Sequence, residues 1–119
     1  MKPPKYTKEY EDWFSDQDEE SKVVINSKVL VLAEFGPHLG RPYVDTIKGS
    51  KYKNLKELRF TNKKNVFRIL FIFNKNRDYW LLIGGNKKGK NEQSFYNKLV
   101  KQSERIIERY PEILEEKNE

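Results

Sequence analysis

The sequence predicts an α+β domain: a small antiparallel meander with an N-terminal helix or helices and a C-terminal helix packed on one face. Three observations carry this. Between residues 54 and 85 the apolar residues alternate with period two, and two short polar turns interrupt them. On either side, longer stretches place apolar residues three and four apart, behind capping residues. The length of 119 residues suits one domain, here residues 1–119, with a core of about 6–110 and an acidic tail at 111–119.

The opening "YTKEYEDWF" fits either regular element: Tyr6, Tyr10 and Phe14 alternate as in a strand, while Tyr6, Tyr10 and Trp13 fit a helical turn. The next stretch, "SDQDEESKVVINSKVLVLAEFGP", reads as a helix. Ser15 or Asp16 can cap it, three acidic residues suit its first turn, and Gly36-Pro37 ends it. Val24, Lys28, Val31, Leu32 and Phe35 mark one face. "GPHLGRPYVDTIKGSKYKN" reads as a Gly/Pro loop with a lysine-rich end. Three strands follow, joined at "NKKN" and "NKNRD". In "VFRILFIF", Phe67, Ile69, Phe71 and Phe73 share one face, and Val66, Arg68, Leu70 and Ile72 the other. The last helix starts at Asn91 or Ser94, carries Phe95, Leu99, Ile106 and Tyr110 on one stripe, and breaks or kinks at Pro111.

Composition narrows the chemistry. There is no cysteine, so disulfides and thiolate metal sites are excluded, and the single histidine, His38, reads as an ordinary loop residue. No apolar run approaches the ~20 residues of a membrane span. "MKPPKYTKEY" has no apolar stretch of the kind a signal peptide needs, which predicts a cytoplasmic protein away from membranes. Charge is unevenly spread. Residues 1–47 carry a net −3, residues 48–105 a net +12, and residues 106–119 a net −3. A basic middle between acidic ends suits a surface that meets phosphates, against the plainer reading of a solvated lysine-rich face.

"YWLLIGGNKKGKN" places Gly84, Gly89 and Lys90 on the spacing G-x-x-x-x-G-K of a phosphate-binding loop. Mechanism argues against one: Asn91 stands where Ser or Thr must hold Mg²⁺, and no parallel α/β sheet can follow. The Gly84-Gly85 pair is instead expected to let the chain turn sharply from strand to helix.

If Lys63-Lys64 form a two-residue hairpin turn, Asn62 faces Asn65 and Arg59 faces Arg68. Two opposed arginines repel, so an anion is expected between them. A phosphate suits their forked guanidinium groups. Glu57, on the same face, offers the alternative of an internal Arg–Glu–Arg cluster. Lys48, Lys51, Lys53 and Lys56 lie before and within the first strand; Lys87, Lys88 and Lys90 follow the third; Tyr96 opens the last helix. Only four carboxylates fall between residues 48 and 105, too few for a two-metal nuclease or a glycosidase pair. A metal-free set of Lys, Arg and Tyr can break RNA, because the ribose 2′-OH is itself the nucleophile. A lysine crowded by cations can serve as base, arginines can steady the phosphorane, and Tyr96 can stack on a base, shuttle a proton, or simply pack helix to sheet.

"LGRPYVDTIKGSKYKNLKELR", "FRILFIF" and "LLIGGNKKG…FY", in that order, resemble the HigB branch of the RelE toxin superfamily. The resemblance implies the toxin of a type II toxin–antitoxin pair that enters the ribosomal A site of the 30S subunit and cuts mRNA without metal or cofactor. It also implies a HigA-like helix-turn-helix antitoxin as partner, with operator DNA met only through the complex. Carried over by position, the catalytic set is Lys56, Arg59, Arg68, Lys87 and Tyr96, with Arg68 gripping the scissile phosphate. Lys48, Lys51, Lys53, Lys88 and Lys90 would line the groove for RNA backbone. The alternative is a non-catalytic RNA- or ribosome-binding protein using the same face.

Overall fold

The computed structural model describes residues 2–114; residues 115–119 of the expected acidic tail lie outside them. In chain order the elements are β1 (Lys5–Tyr6), α1 (Lys8–Ser15), α2 (Glu19–Phe35), β2 (Val44–Thr46), β3 (Leu55–Asn62), β4 (Asn65–Phe73), β5 (Tyr79–Asn86) and α3 (Glu92–Arg109). Short 3₁₀ turns follow α2 and α3. The strands form one sheet in the order β1-β5-β4-β3-β2. The meander β3–β4–β5 is antiparallel, β2 adds antiparallel to β3, and β1 adds parallel to β5.

The α+β class and the three-strand meander agree with the sequence. So does the hairpin register, with Asn62 opposite Asn65 and Arg59 opposite Arg68. Lys63 takes the left-handed conformation (φ 57°) that a two-residue turn of this kind demands. The two short strands were not expected. Residues 44–46 fall in the stretch read as loop, and Lys5–Tyr6 in the ambiguous opening. Two or three residues are too few to show a period, and the pairing partner supplies what the local pattern lacks.

The layering differs as well. The helices cover both faces of the sheet, not one. Tyr10 of α1 and Ile25, Val29 and Leu32 of α2 pack on Leu58, Phe60, Phe67, Ile69 and Phe71. On the opposite face Phe95, Leu99, Ile106 and Ile107 of α3 pack on Leu55, Leu70, Ile72 and Leu82. The reason lies in β4, where Phe67 to Ile72 are all buried. A strand apolar on both sides needs cover on both sides, at about 1.5–3 kcal/mol for each large side chain taken from water.

Helix α2 begins two to three residues later than the expected caps: the Asp18 carboxylate accepts from the Ser21 N–H at 2.7 Å. Its buried stripe is Ser21, Ile25, Val29 and Leu32. Of the expected face only Leu32 is buried, while Val31 and Phe35 are exposed. A helix apolar on nearly every side gives periodicity nothing to choose by. Helix α3 is capped by Asn91, as one of the two expected caps.

Gly84 and Gly85 lie inside β5, so they do not make the strand-to-helix turn. Their missing Cβ atoms admit close neighbours on opposite faces. A Cβ at Gly84 would stand 2.5 Å from the Trp13 ring, and one at Gly85 3.0 Å from Phe95. The turn into α3 is made by Gly89, at φ 67°.

Candidate functional site

Strand alternation puts Glu57 and Arg59 of β3, and Arg68 of β4, on the α3 side of the sheet. Asp45 of β2 stands opposite Glu57. Tyr96, one turn into α3, reaches down onto this group. The Arg68 Nε donates to the Tyr96 hydroxyl at 2.9 Å, and that hydroxyl donates to Glu57 Oε1 at 2.6 Å. Arg68 Nε also stands 3.4 Å from Glu57 Oε1, and its Nη1 donates to the Phe67 carbonyl at 2.9 Å. Arg68 and Glu57 are only 6% and 7% exposed.

The opposed arginines therefore have their anions inside the protein. Glu57 serves Arg68, and Asp45 stands 3.9 Å from Arg59. The alternative of an internal cluster describes Arg68, with the difference that Glu57 pairs with Arg68 alone and Asp45 takes the other arginine. Arg59 is the more available of the two. Its side chain is 30% exposed, and its Nε, though buried, has no hydrogen-bond partner among the described residues. That is an unused donor beside a solvent-facing guanidinium.

Lys87 holds its ammonium 5.7 Å from the centre of the Tyr96 ring and 2.8 Å from the Glu92 carboxylate. The Lys87 bond holds the Glu92 carboxyl below the usual carboxylate range. Burial, with help from the Glu57 hydrogen bond, pushes the Tyr96 hydroxyl up to about 12, so at neutral pH it is a fixed donor. Beside these groups a cavity of about 300 Å³ opens between β2, β3 and α3. Asp45, Thr46, Lys48, Glu57 and Tyr96 line it.

The structure thus gathers Arg59, Arg68, Lys87, Tyr96 and Lys48. Lys56 is set apart: three residues from Arg59, it belongs by alternation to the α1–α2 face, where its ammonium donates to Thr46 Oγ1 at 3.0 Å. Lys51 pairs with Glu108 near the far end of α3, and that contact raises its basicity, the reverse of a lysine crowded by cations. Lys53, Lys88 and Lys90 are exposed. Lys90 lies 5.9 Å from the centre of the Phe95 ring, so it and Lys88 flank the start of α3. Asp45 was missed because it sits in a three-residue strand read as loop. Glu57 was visible as a same-face neighbour, but its choice of arginine depends on Tyr96, 39 residues away.

The family described as phage derived protein Gp49-like matches residues 12–108. Two proteins of Mycobacterium tuberculosis (strain ATCC 25618 / H37Rv) are similar to this chain. "Putative toxin HigB2" is 38% identical over 96 residues, which are 80% of this chain and 47% of that protein. "Putative toxin HigB3" is 35% identical over 89 residues, 75% of this chain and 76% of that protein. The match thus spans about half the length of the first relative. In fold the chain is similar to a chain of the RelB-RelE antitoxin–toxin complex from Methanococcus jannaschii, with a TM-score of 0.57 at 14% identity, over 79% of this chain and 96% of that one. The chain belongs to the phage-derived Gp49-like family, the HigB-like branch of the RelE superfamily.

Proposed function

We propose that this protein is the toxin of a type II toxin–antitoxin pair and acts as an endoribonuclease on mRNA in the ribosomal A site. The observation that carries the chemistry is Arg59: a guanidinium 30% exposed, whose buried Nε has no hydrogen-bond partner among the described residues, directly opposite Arg68 in the hairpin. Membership of the HigB-like branch supports the toxin role and an antitoxin as partner.

In this reading the ribose O2′ attacks the adjacent phosphorus and the P–O5′ bond breaks. One proton leaves O2′ and one reaches O5′, giving a 2′,3′-cyclic phosphate and a 5′-hydroxyl. Arg59 meets the phosphate directly and steadies the charge of the phosphorane. Tyr96, protonated throughout the physiological range, offers its ring face, while its one hydroxyl proton is held by Glu57. Glu57 orients Arg68 and Tyr96 and is a positioning residue. Lys87 and Lys48 supply the cationic rim for RNA backbone.

A second reading, a non-catalytic RNA- or ribosome-binding protein, is favoured by one observation: Arg68 is buried and already engaged by Glu57, Tyr96 and the Phe67 carbonyl. One experiment separates the two. Expression of the chain should arrest growth, and mRNA recovered from arrested cells should carry new ends with 2′,3′-cyclic or 3′-phosphate. Arrest with intact mRNA supports the second reading. New 5′-phosphate ends would mean that water is the nucleophile. Growth at the normal rate with soluble protein accumulating would end the toxin reading.

A further inference from the structure

Two aromatic rings stand in solvent close to Arg59. Phe35, the last residue of α2, is 52% exposed, and Tyr43 is 54% exposed. Rings are large apolar surfaces that folding ordinarily hides, so two left out beside each other mark a surface with a use. Local structure holds both in place. Gly36, at φ 56°, turns the chain out of α2, and a 3₁₀ turn follows over Gly36–His38. Tyr43 is tied to β3 through its carbonyl, which accepts from the Arg59 N–H at 2.8 Å.

A cavity of about 440 Å³ opens at these rings, a size that suits a small flat ligand. Phe35, His38 and Tyr43 line it, together with the buried Leu58. Its cations are Lys28 and Arg59, and no carboxylate lines it among the described residues. The Lys28 ammonium has no partner among them either. Asp45, which stands 3.9 Å from Arg59, is shared with Arg41 at 3.7 Å, so one carboxylate answers two guanidinium groups. The cavity beside Tyr96 differs in this respect, because both Asp45 and Glu57 line it.

We infer that this cavity takes a nucleobase of single-stranded RNA, stacked on Tyr43 and Phe35, next to a phosphate held by Arg59. The inference rests on the reading of Arg59 as the phosphate contact, and it adds a base-binding subsite apart from Tyr96. The lining selects this ligand. A nucleotide joins a flat π surface to an anionic backbone; rings recognise the first and cations the second. Arg59 both lines the cavity and meets the phosphate, so the sugar beside that phosphate can deliver its base there. Stacking accepts every base, so the subsite fixes the position of the strand more than its sequence. A second copy of this chain fits less well, because pairing these surfaces would set Lys28 and Arg59 of one copy against those of the other. An apolar helix of a protein partner would bury both cations without a counter-charge.

The test is a proton NMR titration of the full chain with a short single-stranded 2′-O-methyl RNA, which has no free 2′-OH to attack with. A strand of the same length and backbone without bases is the control. His38 is the reporter: as the sole histidine, its ring signals need no further assignment. They should shift with the base-bearing strand and stay in place with the abasic one. Tyr43→Ala should weaken binding of the base-bearing strand about tenfold and leave abasic binding and the melting temperature unchanged. Tyr43→Trp, which keeps a ring, should bind as the parent does. Absence of binding, binding that leaves His38 unmoved, or equal weakening of both strands by Tyr43→Ala overturns the inference. His38 signals that follow the protein's own concentration assign the cavity to a second copy and overturn it too. A wild-type chain that leaves mRNA intact in cells, yet binds RNA in this base-dependent way, defeats the nuclease reading and leaves the subsite standing. A chain that cuts mRNA as expected, with Tyr43→Ala binding as tightly as the parent, overturns the subsite alone.

Discussion

Arg59 and Arg68 face each other across a hairpin, yet their surroundings give them different work. Arg68→Ala would leave the buried Glu57 carboxylate with the Tyr96 hydroxyl as its remaining partner. Breaking a buried ion pair from one side costs about 3 kcal/mol or more, roughly 10 °C in melting temperature for a domain of this size. A thermal melt of Arg68→Ala should show that loss; an unchanged melt would mean the pair contributes nothing. Arg59→Ala removes a partly exposed cation from a pair at 3.9 Å, so its melt should stay close to that of the parent. Its rate of mRNA cleavage should fall about a hundredfold, the usual cost of one donor to a transition-state anion. Repulsion between the two arginines, taken alone, would make Arg68 removable without harm to the fold; burial of its carboxylate partner reverses that. Tyr96→Phe tests the bridge between them. It leaves Arg68 Nε and Glu57 one partner short and should cost about 1–2 kcal/mol in urea unfolding, with Arg59→Ala and Tyr96→Phe non-additive in cleavage if both serve one site.

Strand β5 shows how an element carries constraints from two sides. Its glycines pass between Trp13 on one face and Phe95 on the other. Gly84→Ala would press a methyl group into an indole ring that also packs edge-on against Phe67, so α1 must shift. We expect a loss of about 1–3 kcal/mol in denaturant unfolding. Gly85→Ala meets Phe95 at 3.0 Å and should cost less, since that ring stands at the start of α3. Equal, negligible losses at both would show that α1 and α3 yield freely. The hairpin and both ends of α3 were legible because their signals are local: a two-residue turn, a capping Asn, a Pro after the last turn. The glycines were legible as a pair but not in purpose, because the rings that need their absence of side chain lie 71 positions earlier and 10 later in the chain.

Three tyrosines couple the whole molecule to alkaline pH. Burial raises Tyr79 and Tyr96 to about 12 and Tyr10 further still, from an ordinary value of 10.0. Above pH 10 the unfolded chain gives up these protons while the folded chain keeps them. Unfolding then releases protons, so stability falls as pH rises from 10 towards 12. Below 10 the three groups are protonated in both states and contribute no slope. Urea midpoints measured from pH 8 to pH 11.5 should be flat at first and then fall. Tyr10→Phe should show a shallower fall than the parent, and an identical slope would mean that Tyr10 is not shielded in solution.

By itself the sequence determined what short-range rules can carry: an α+β domain, the register that opposes Arg59 to Arg68, the caps and breaks of the last helix, a basic middle, and the residues that mark the family. Alternation along a strand also assigned Arg59, Arg68 and Glu57 to one side, because that needs only counting. Tertiary structure alone decided which helix covers which face, since β4 is apolar on both sides and the order of packing is not written in its period. It alone decided that Asp45 answers Arg59 and Glu57 answers Arg68, and that Lys56 turns away from them. Each of these depends on groups far apart in the chain meeting in space, where burial and competition for partners rank contacts that local pattern leaves equal.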